Sequence, residues 1–180
     1  MKIHLGCGDV KIPGFVNIDQ EYKHHIDYIA DVSKLVMFED NTISLIYTSH
    51  VLEHFGRHDI ERVLTEWYRV LKPGGTLRIS VPDFDAVVRA YQKGYEMEDL
   101  MGLLYGGQDK KLNYHYVCFN FKYLKQLLEK VGFVDIKKYD WRKTIHKDYD
   151  DYSQAYLPHM EKEHGMLMSL NVEAKKTIKK

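Results

Sequence analysis

The sequence predicts an α/β fold, a mostly parallel sheet with helices packed on its faces. Three observations carry this. Short apolar runs alternate with helical stripes along the chain, the pattern of strands joined by helical crossovers. The residues able to do chemistry, Gly6 to Gly8, Asp19, Asp31 and Ser49-His50, all fall where a predicted strand ends. Ligands of parallel sheets bind at those carboxyl ends. No linker, repeat or low-complexity tract interrupts the 180 residues, so residues 1–180 read as a single domain with a core of its own.

Each element has its own signal. Lys2 to Leu5 is a short strand that runs into Gly6-Cys7-Gly8. Phe15 to Ile18 and Ile26 to Ala30 are apolar runs ending at Asp19 and Asp31. Ser44 to Thr48 is a fourth strand, ending at Ser49-His50. Ile60, Val63, Leu64, Trp67, Val70 and Leu71 recur at spacings of three and four, the apolar stripe of a helix. Glu61, Arg62, Glu66 and Arg69 occupy its other face, and Pro73-Gly74-Gly75 stops it. Thr76 to Val81 is the fifth strand. Asp83 is placed to cap a helix with Phe84, Val87, Val88 and Tyr91 on one face. Asn120 is placed to cap another, with Phe121, Leu124, Leu127, Leu128 and Val131 inward and Gly132 at its end. Phe133 to Tyr139 and Met166 to Val172 are the last strands, and the lysine-rich stretch 174–180 reads as a frayed end.

Composition narrows the function. Lys and Arg number 26, Asp and Glu also 26. The chain lacks the surplus cations of a nucleic-acid face, which argues against nucleic acid as a partner. No apolar run reaches the ~18 residues of a membrane span. The strand pattern begins within two residues of Met1, which leaves no room for a signal peptide. Cys7 and Cys118 make no disulfide framework. A cytoplasmic, reducing location is expected.

Gly6-Cys7-Gly8 directly after a strand lets backbone approach a ligand closely. The dinucleotide pattern G-x-G-x-x-G fails, because position 11 is Lys. Asp19 is placed to accept two hydrogen bonds from a ribose diol. Asp31 is placed either to accept from an exocyclic amine such as adenine N6 or to cap the segment from Val32 to Leu35.

These residues sit in motifs that resemble the class I S-adenosylmethionine (SAM)-dependent methyltransferases, in particular a small, type 11-like group. The motifs are His4-Leu5-Gly6-Cys7-Gly8, Asn17-Ile18-Asp19, Ala30-Asp31-Val32, Ile46-Tyr47-Thr48-Ser49-His50-Val51-Leu52-Glu53-His54 and Arg69-Val70-Leu71-Lys72-Pro73-Gly74-Gly75. Their order and spacing match over about residues 2 to 140. The resemblance implies a Rossmann-like seven-stranded sheet of order 3-2-1-4-5-7-6 with the last strand antiparallel. It implies SAM as cofactor and S-adenosylhomocysteine (SAH) as product. Gly6, Cys7 and Gly8 would line the methionine portion, Asp19 would hold the ribose, Asp31 and Val32 would flank the adenine, and Ser49 and His50 would close the pocket near the sulfonium. The acceptor would be a small molecule or a glycan, methylated on oxygen or nitrogen.

The chain departs from the pattern after its first two strands. Only Asp9 to Gly14 follows the glycine turn, whereas a parallel crossover normally takes a dozen or more residues. The link from Asp19 to Ile26 is short as well. Two helices are therefore reduced or absent, and apolar sheet surface is left needing cover. The segment around Tyr95 to Tyr116, the segment from Asp140 to His164, or a second subunit in a homodimer is expected to supply it.

Most of the ten histidines read as surface residues. His115 precedes the Asn120 helix in the connection that passes over the acceptor site in the resembled fold. It is placed, with His50, to act in catalysis, taking a proton from an acceptor hydroxyl or amine, and Gly106-Gly107 gives that connection hinge freedom. Two alternatives stand beside the enzyme. One is a SAM-binding partner protein without catalysis. The more remote is a zinc hydrolase through His50, Glu53 and His54, which match H-x-x-E-H, although the motif follows a strand directly. No metal ligand set is otherwise assigned.

Overall fold

The computed structural model describes residues 1–178. Its main sheet has seven strands. They are β1 (Lys2–Leu5), β2 (Val16–Asp19), β3 (Tyr28–Ile29), β4 (Ile43–Ser49), β5 (Leu71–Pro82), β6 (Phe133–Lys138) and β9 (Ser169–Lys176). β7 (Tyr156–Leu157) and β8 (Met166–Leu167) form a small antiparallel pair of their own. The spatial order is β3-β2-β1-β4-β5-β9-β6. β9 runs antiparallel between β5 and β6, and the remaining neighbours are parallel. This is the expected topology, with β9 as the seventh strand of the sheet.

One face of the sheet carries the main core. Ile3, Leu5, Ile18, Ile46, Leu77, Ile79, Val81, Leu170 and Val172 pack beneath α1 (Ile60–Val70) and α4 (Phe121–Val131). The α1 stripe is buried along its length, and Trp67 Nε1 donates to the Val32 carbonyl at 2.9 Å. That bond ties α1 to the turns after β3, where Val32, Leu35 and Phe38 enter the core without a helix. At α4, Asn120 caps Tyr123 N and Gly132 ends the helix in the left-handed conformation.

Four details differ from expectation. Leu71 lies in β5 rather than on the helix, because Pro73 disfavours helical backbone before it and Leu71 pairs with Ile43. Asp83 caps α2 (Phe84–Gln92) as predicted. The buried side of α2, however, is Ala86, Val87 and Ala90, which pack against Leu100 of α3 (Met97–Tyr105). Small residues let α3 approach, so Phe84, Val88 and Tyr91 stay exposed. The last strand starts at Ser169 and runs to Lys176, beyond its predicted end, with Ala174 in the core. The frayed end is thereby shortened, and residues 179–180 lie outside the described residues.

The other face of the sheet is polar where apolar surface was expected. His4, Asn17, Tyr47, Arg78, Asn171 and Glu173 are on it. The segment 140–164 crosses it as an irregular strap. His146 stacks on Tyr47 with ring centroids 3.8 Å apart. Asn171 Nδ2 donates to the Ser153 carbonyl at 2.9 Å, and Tyr47 donates to Asp151 at 2.5 Å. A small apolar cluster of Ile12, Phe15, Leu45 and Tyr47 completes the cover. The strap, one of the covers anticipated from the sequence, lies where the missing helices would pack. His4, His25 and His146 are buried here and at the glycine turn. Only His24, His58, His159 and His164 are exposed, fewer than the sequence reading held.

Candidate active site

The site forms where β1, β2 and β4 end. Gly6 and Gly8 have φ of +62° and +52°, a left-handed turn that glycine adopts without strain. A side chain at Gly6 would put its Cβ 2.3 Å from Val51 Cγ2. Gly6 N donates to the Ile18 carbonyl at 2.8 Å, which sets the turn against β2. The same turn brings Gly8 N to Asp19 Oδ2 at 2.8 Å, while Glu21 N donates to Asp19 Oδ1 at 3.0 Å. Each Asp19 oxygen keeps acceptor capacity. Asp31 Oδ1 accepts from Ser33 N at 2.9 Å, so it caps its own turn and also lines the cleft.

Three cavities meet at this edge. The first, about 620 Å³, is lined by Gly6, Gly8, Asp19, Asp31, Val32 and His50. The second, about 480 Å³, is lined by Cys7, Ser49, Asp150 and Asp151 together with both glycines. The third, about 340 Å³, lies under α3 and is lined by His54, Leu103, Gly106, His115 and Met168. His50 and Tyr152 line all three. Every cofactor-site residue expected from the sequence, and His115, is thus at one of the three, whereas Glu53 of the H-x-x-E-H motif lines none of them. Tyr152, on the strap, was not singled out, and the abundance of tyrosine was its only trace in the sequence.

His50 is held firmly. Its φ is +53°, uncommon for a residue with a side chain, and its N–H donates to the Ser80 carbonyl at 2.9 Å. Ser169 Oγ donates to the Tyr152 carbonyl, so it accepts from His50 Nε2 at 2.9 Å. His50 Nδ1 then faces Glu53 Oε1 at 3.3 Å. Burial pushes the His50 imidazole down to about 3 and that of His115 to about 4, and lowers His54 as well. All three rings are neutral at pH 7. Burial raises Glu53 to about 8 and the Cys7 thiol to about 12, which leaves Cys7 as packing against the turn.

The zinc-peptidase geometry is not formed. Residues 52–54 are one 3₁₀ turn, His50 stands outside it, and its Nε2 is spent on Ser169. The two histidines of H-x-x-E-H therefore do not face one ion as they would from a continuous helix.

Residues 13–79 match the family described as "Methyltransferase domain". No curated protein matches the chain. Among solved structures, a SAM-dependent methyltransferase from Methanosarcina mazei aligns with a TM-score of 0.60 at 15% identity, over 99% of this chain and 92% of that one. Another from Archaeoglobus fulgidus gives 0.59 at 15%, over 97% and 85%. The 1,6-didemethyltoxoflavin-N1-methyltransferase of Burkholderia thailandensis, with its substrate and SAH bound, gives 0.59 at 17%, over 98% and 70%.

Proposed function

We propose that this chain is a class I SAM-dependent methyltransferase, a reading supported by the family match over residues 13–79 and by the fold, and that it moves the methyl group of SAM onto a hydroxyl or amine of a small molecule or glycan. One observation carries the reading: the cleft at the glycine turn and Asp19 adjoins, across His50 and Tyr152, a separate pocket beneath α3. Cofactor and acceptor have adjoining compartments with a shared boundary, as transfer between them requires.

The assignments follow from placement. Asp19 takes the ribose diol, and Asp31 and Val32 lie at the adenine end. Gly6, Cys7 and Gly8 border the methionine portion, with Ser49 and His50 at the junction where the sulfonium belongs. The sulfonium is already activated, so the protein's task is to hold acceptor atom, methyl carbon and sulfur in line. His50 and His115 stand at the acceptor pocket and are the residues we assign to work on the acceptor. A small-molecule acceptor is in keeping with the Burkholderia N-methyltransferase of the same fold. The non-catalytic alternative drew its motive from the missing helices, and the strap supplies their cover. So too the face given to a second subunit is occupied by the chain itself. No helix of the described residues is long and apolar enough to cross a membrane, and both cysteines are unpaired, in keeping with a cytoplasmic setting.

Calorimetric titration with SAM and SAH tests the cofactor site. Asp19→Ala is expected to weaken binding by roughly 1.5–3 kcal/mol, about ten- to a hundredfold. Absence of binding to the wild type would sink the reading. Release of SAH in the presence of a panel of hydroxyl and amine acceptors then separates the enzyme from a mere SAM binder.

A further inference from the structure

Glu53 is fully buried, and although His50 Nδ1 faces its Oε1 at 3.3 Å, neither carboxylate oxygen completes a hydrogen bond among the described residues. A buried carboxyl left unpartnered is costly, and folds retain such groups at functional sites. Its Oε1 lies 4.0 Å from His115 Nε2. Ligand-capable atoms of Glu53, His54 and His115 all lie within 4.8 Å of one another. The two imidazoles meet edge to face, centroids 4.9 Å apart.

Both rings are oriented from behind. His115 Nδ1 is 3.1 Å from the Leu103 carbonyl, and His54 Nδ1 is 3.0 Å from the Tyr114 carbonyl. A carbonyl only accepts, so each Nδ1 carries the proton and donates it. In that tautomer each Nε2 keeps its lone pair; that of His115 is turned to Glu53, and the His54 ring also lies against the His50 carbonyl. This is the manner in which metal-ligating histidines are held: one nitrogen fixed by a backbone carbonyl, the other turned to the ion.

We propose that Glu53, His54 and His115 bind one divalent first-row transition-metal ion, through a carboxylate oxygen and two imidazole Nε2 atoms, at the wall of the pocket beneath α3. Two imidazoles and one carboxylate suit zinc, iron, cobalt or nickel better than magnesium or calcium. Bond lengths of about 2.1 Å require the trio to close by roughly an ångström on the ion. Three protein ligands leave coordination positions open, and the pocket supplies the occupant. This set differs from the H-x-x-E-H reading: His115 replaces His50, which is engaged with Ser169.

The role rests on the methyl-transfer reading. A hydroxyl of the acceptor would take an open position, and the ion would ease loss of its proton to water. The oxygen lone pair forms the bond to the methyl carbon as the carbon–sulfur bond breaks, its electron pair staying on sulfur. The products are a methyl ether, neutral SAH and one proton. His115 then acts on the acceptor through the ion, and the acceptor class narrows to hydroxyl-bearing molecules.

The test is titration of metal-free protein with ZnCl2 and with CoCl2, without SAM. One ion per chain is expected. Glu53→Gln and His115→Ala should each weaken binding about tenfold or more, since even indirect disturbance of a metal site costs that much. SAH affinity should stay within about threefold as the control for folding. No saturable binding by the wild type, or equal affinity in the variants, overturns the proposal. Should the variants fail to fold, X-ray absorption at the zinc edge of the wild-type protein decides. Two imidazole ligands are expected, and a shell without them overturns the site. Zinc binding without SAH binding would instead remove the methyl-transfer reading and leave the ion site standing.

Discussion

Gly6 shows how much one absent methyl group decides. Its φ of +62° and the 2.3 Å approach of a would-be Cβ to Val51 are separable costs. Gly6→Ala should destabilise the protein through both, and Gly6→Ala with Val51→Ala should recover the steric part. About 1–2 kcal/mol of left-handed strain should remain, read as the difference in urea unfolding between the double variant and Val51→Ala alone. The glycines, Asp19 and Asp31 were legible in the sequence because their meaning is local: each lies at the end of a strand or within three residues of it. Tyr152 and the Glu53–His115 pair were not. Their partners come from distant segments, and no short-range pattern records that the strap lies beside His50 or that the His115 loop lies over Glu53.

At the scale of elements, the sequence told most where periodicity and caps agreed. The stripe of α1, the Asn120 cap and Gly132 placed two helices correctly. It told least where a helix is missing, since a strap has no period to read. Likewise α2 was oriented by its large residues, while the packing of α3 selected the small ones. The strap makes its own prediction. His146 is buried against Tyr47, its Nε2 has no hydrogen-bond partner among the described residues, and burial pushes its pKa down to about 3 from 6.5. The unfolded chain therefore binds the extra proton between those values. The stability this neutral ring contributes is complete above pH 6.5 and falls as the pH drops toward 3. Glu53, raised to about 8, slopes the opposite way above about 4.5, so the total is a compromise and the difference between proteins is the clean observable. His146→Phe should remove one such slope. Between pH 6.5 and 5, wild type should lose up to about 1.4 kcal/mol per pH unit relative to the variant. Parallel curves would mean that the ring is protonated in the fold.

The molecule as a whole couples the strap to the cofactor, because Asp150, Asp151, Tyr152 and Met160 line the cavities of the glycine turn. A ligand seated there should hold the strap down. At a hundredfold excess over Kd, SAH should add about 2.7 kcal/mol of stability, which for a chain of this size raises Tm by about 5 to 10 °C. Amide exchange should slow within 150–160 more than in α4, and uniform slowing would refute the coupling. The strap also leaves the sheet at Lys138 and returns at Ser169 on neighbouring strands, with Lys138 paired to Val172. Both of its stumps are clamped side by side. A cut in its outer stretch, near Glu161 to Glu163, would leave two pieces: a large one with a slot one strand wide, and a short peptide, led by β8, whose β9 fits between β5 and β6. Two genes divided at this seam are therefore expected to yield products that reassemble into one sheet, read by their copurification when they are coexpressed.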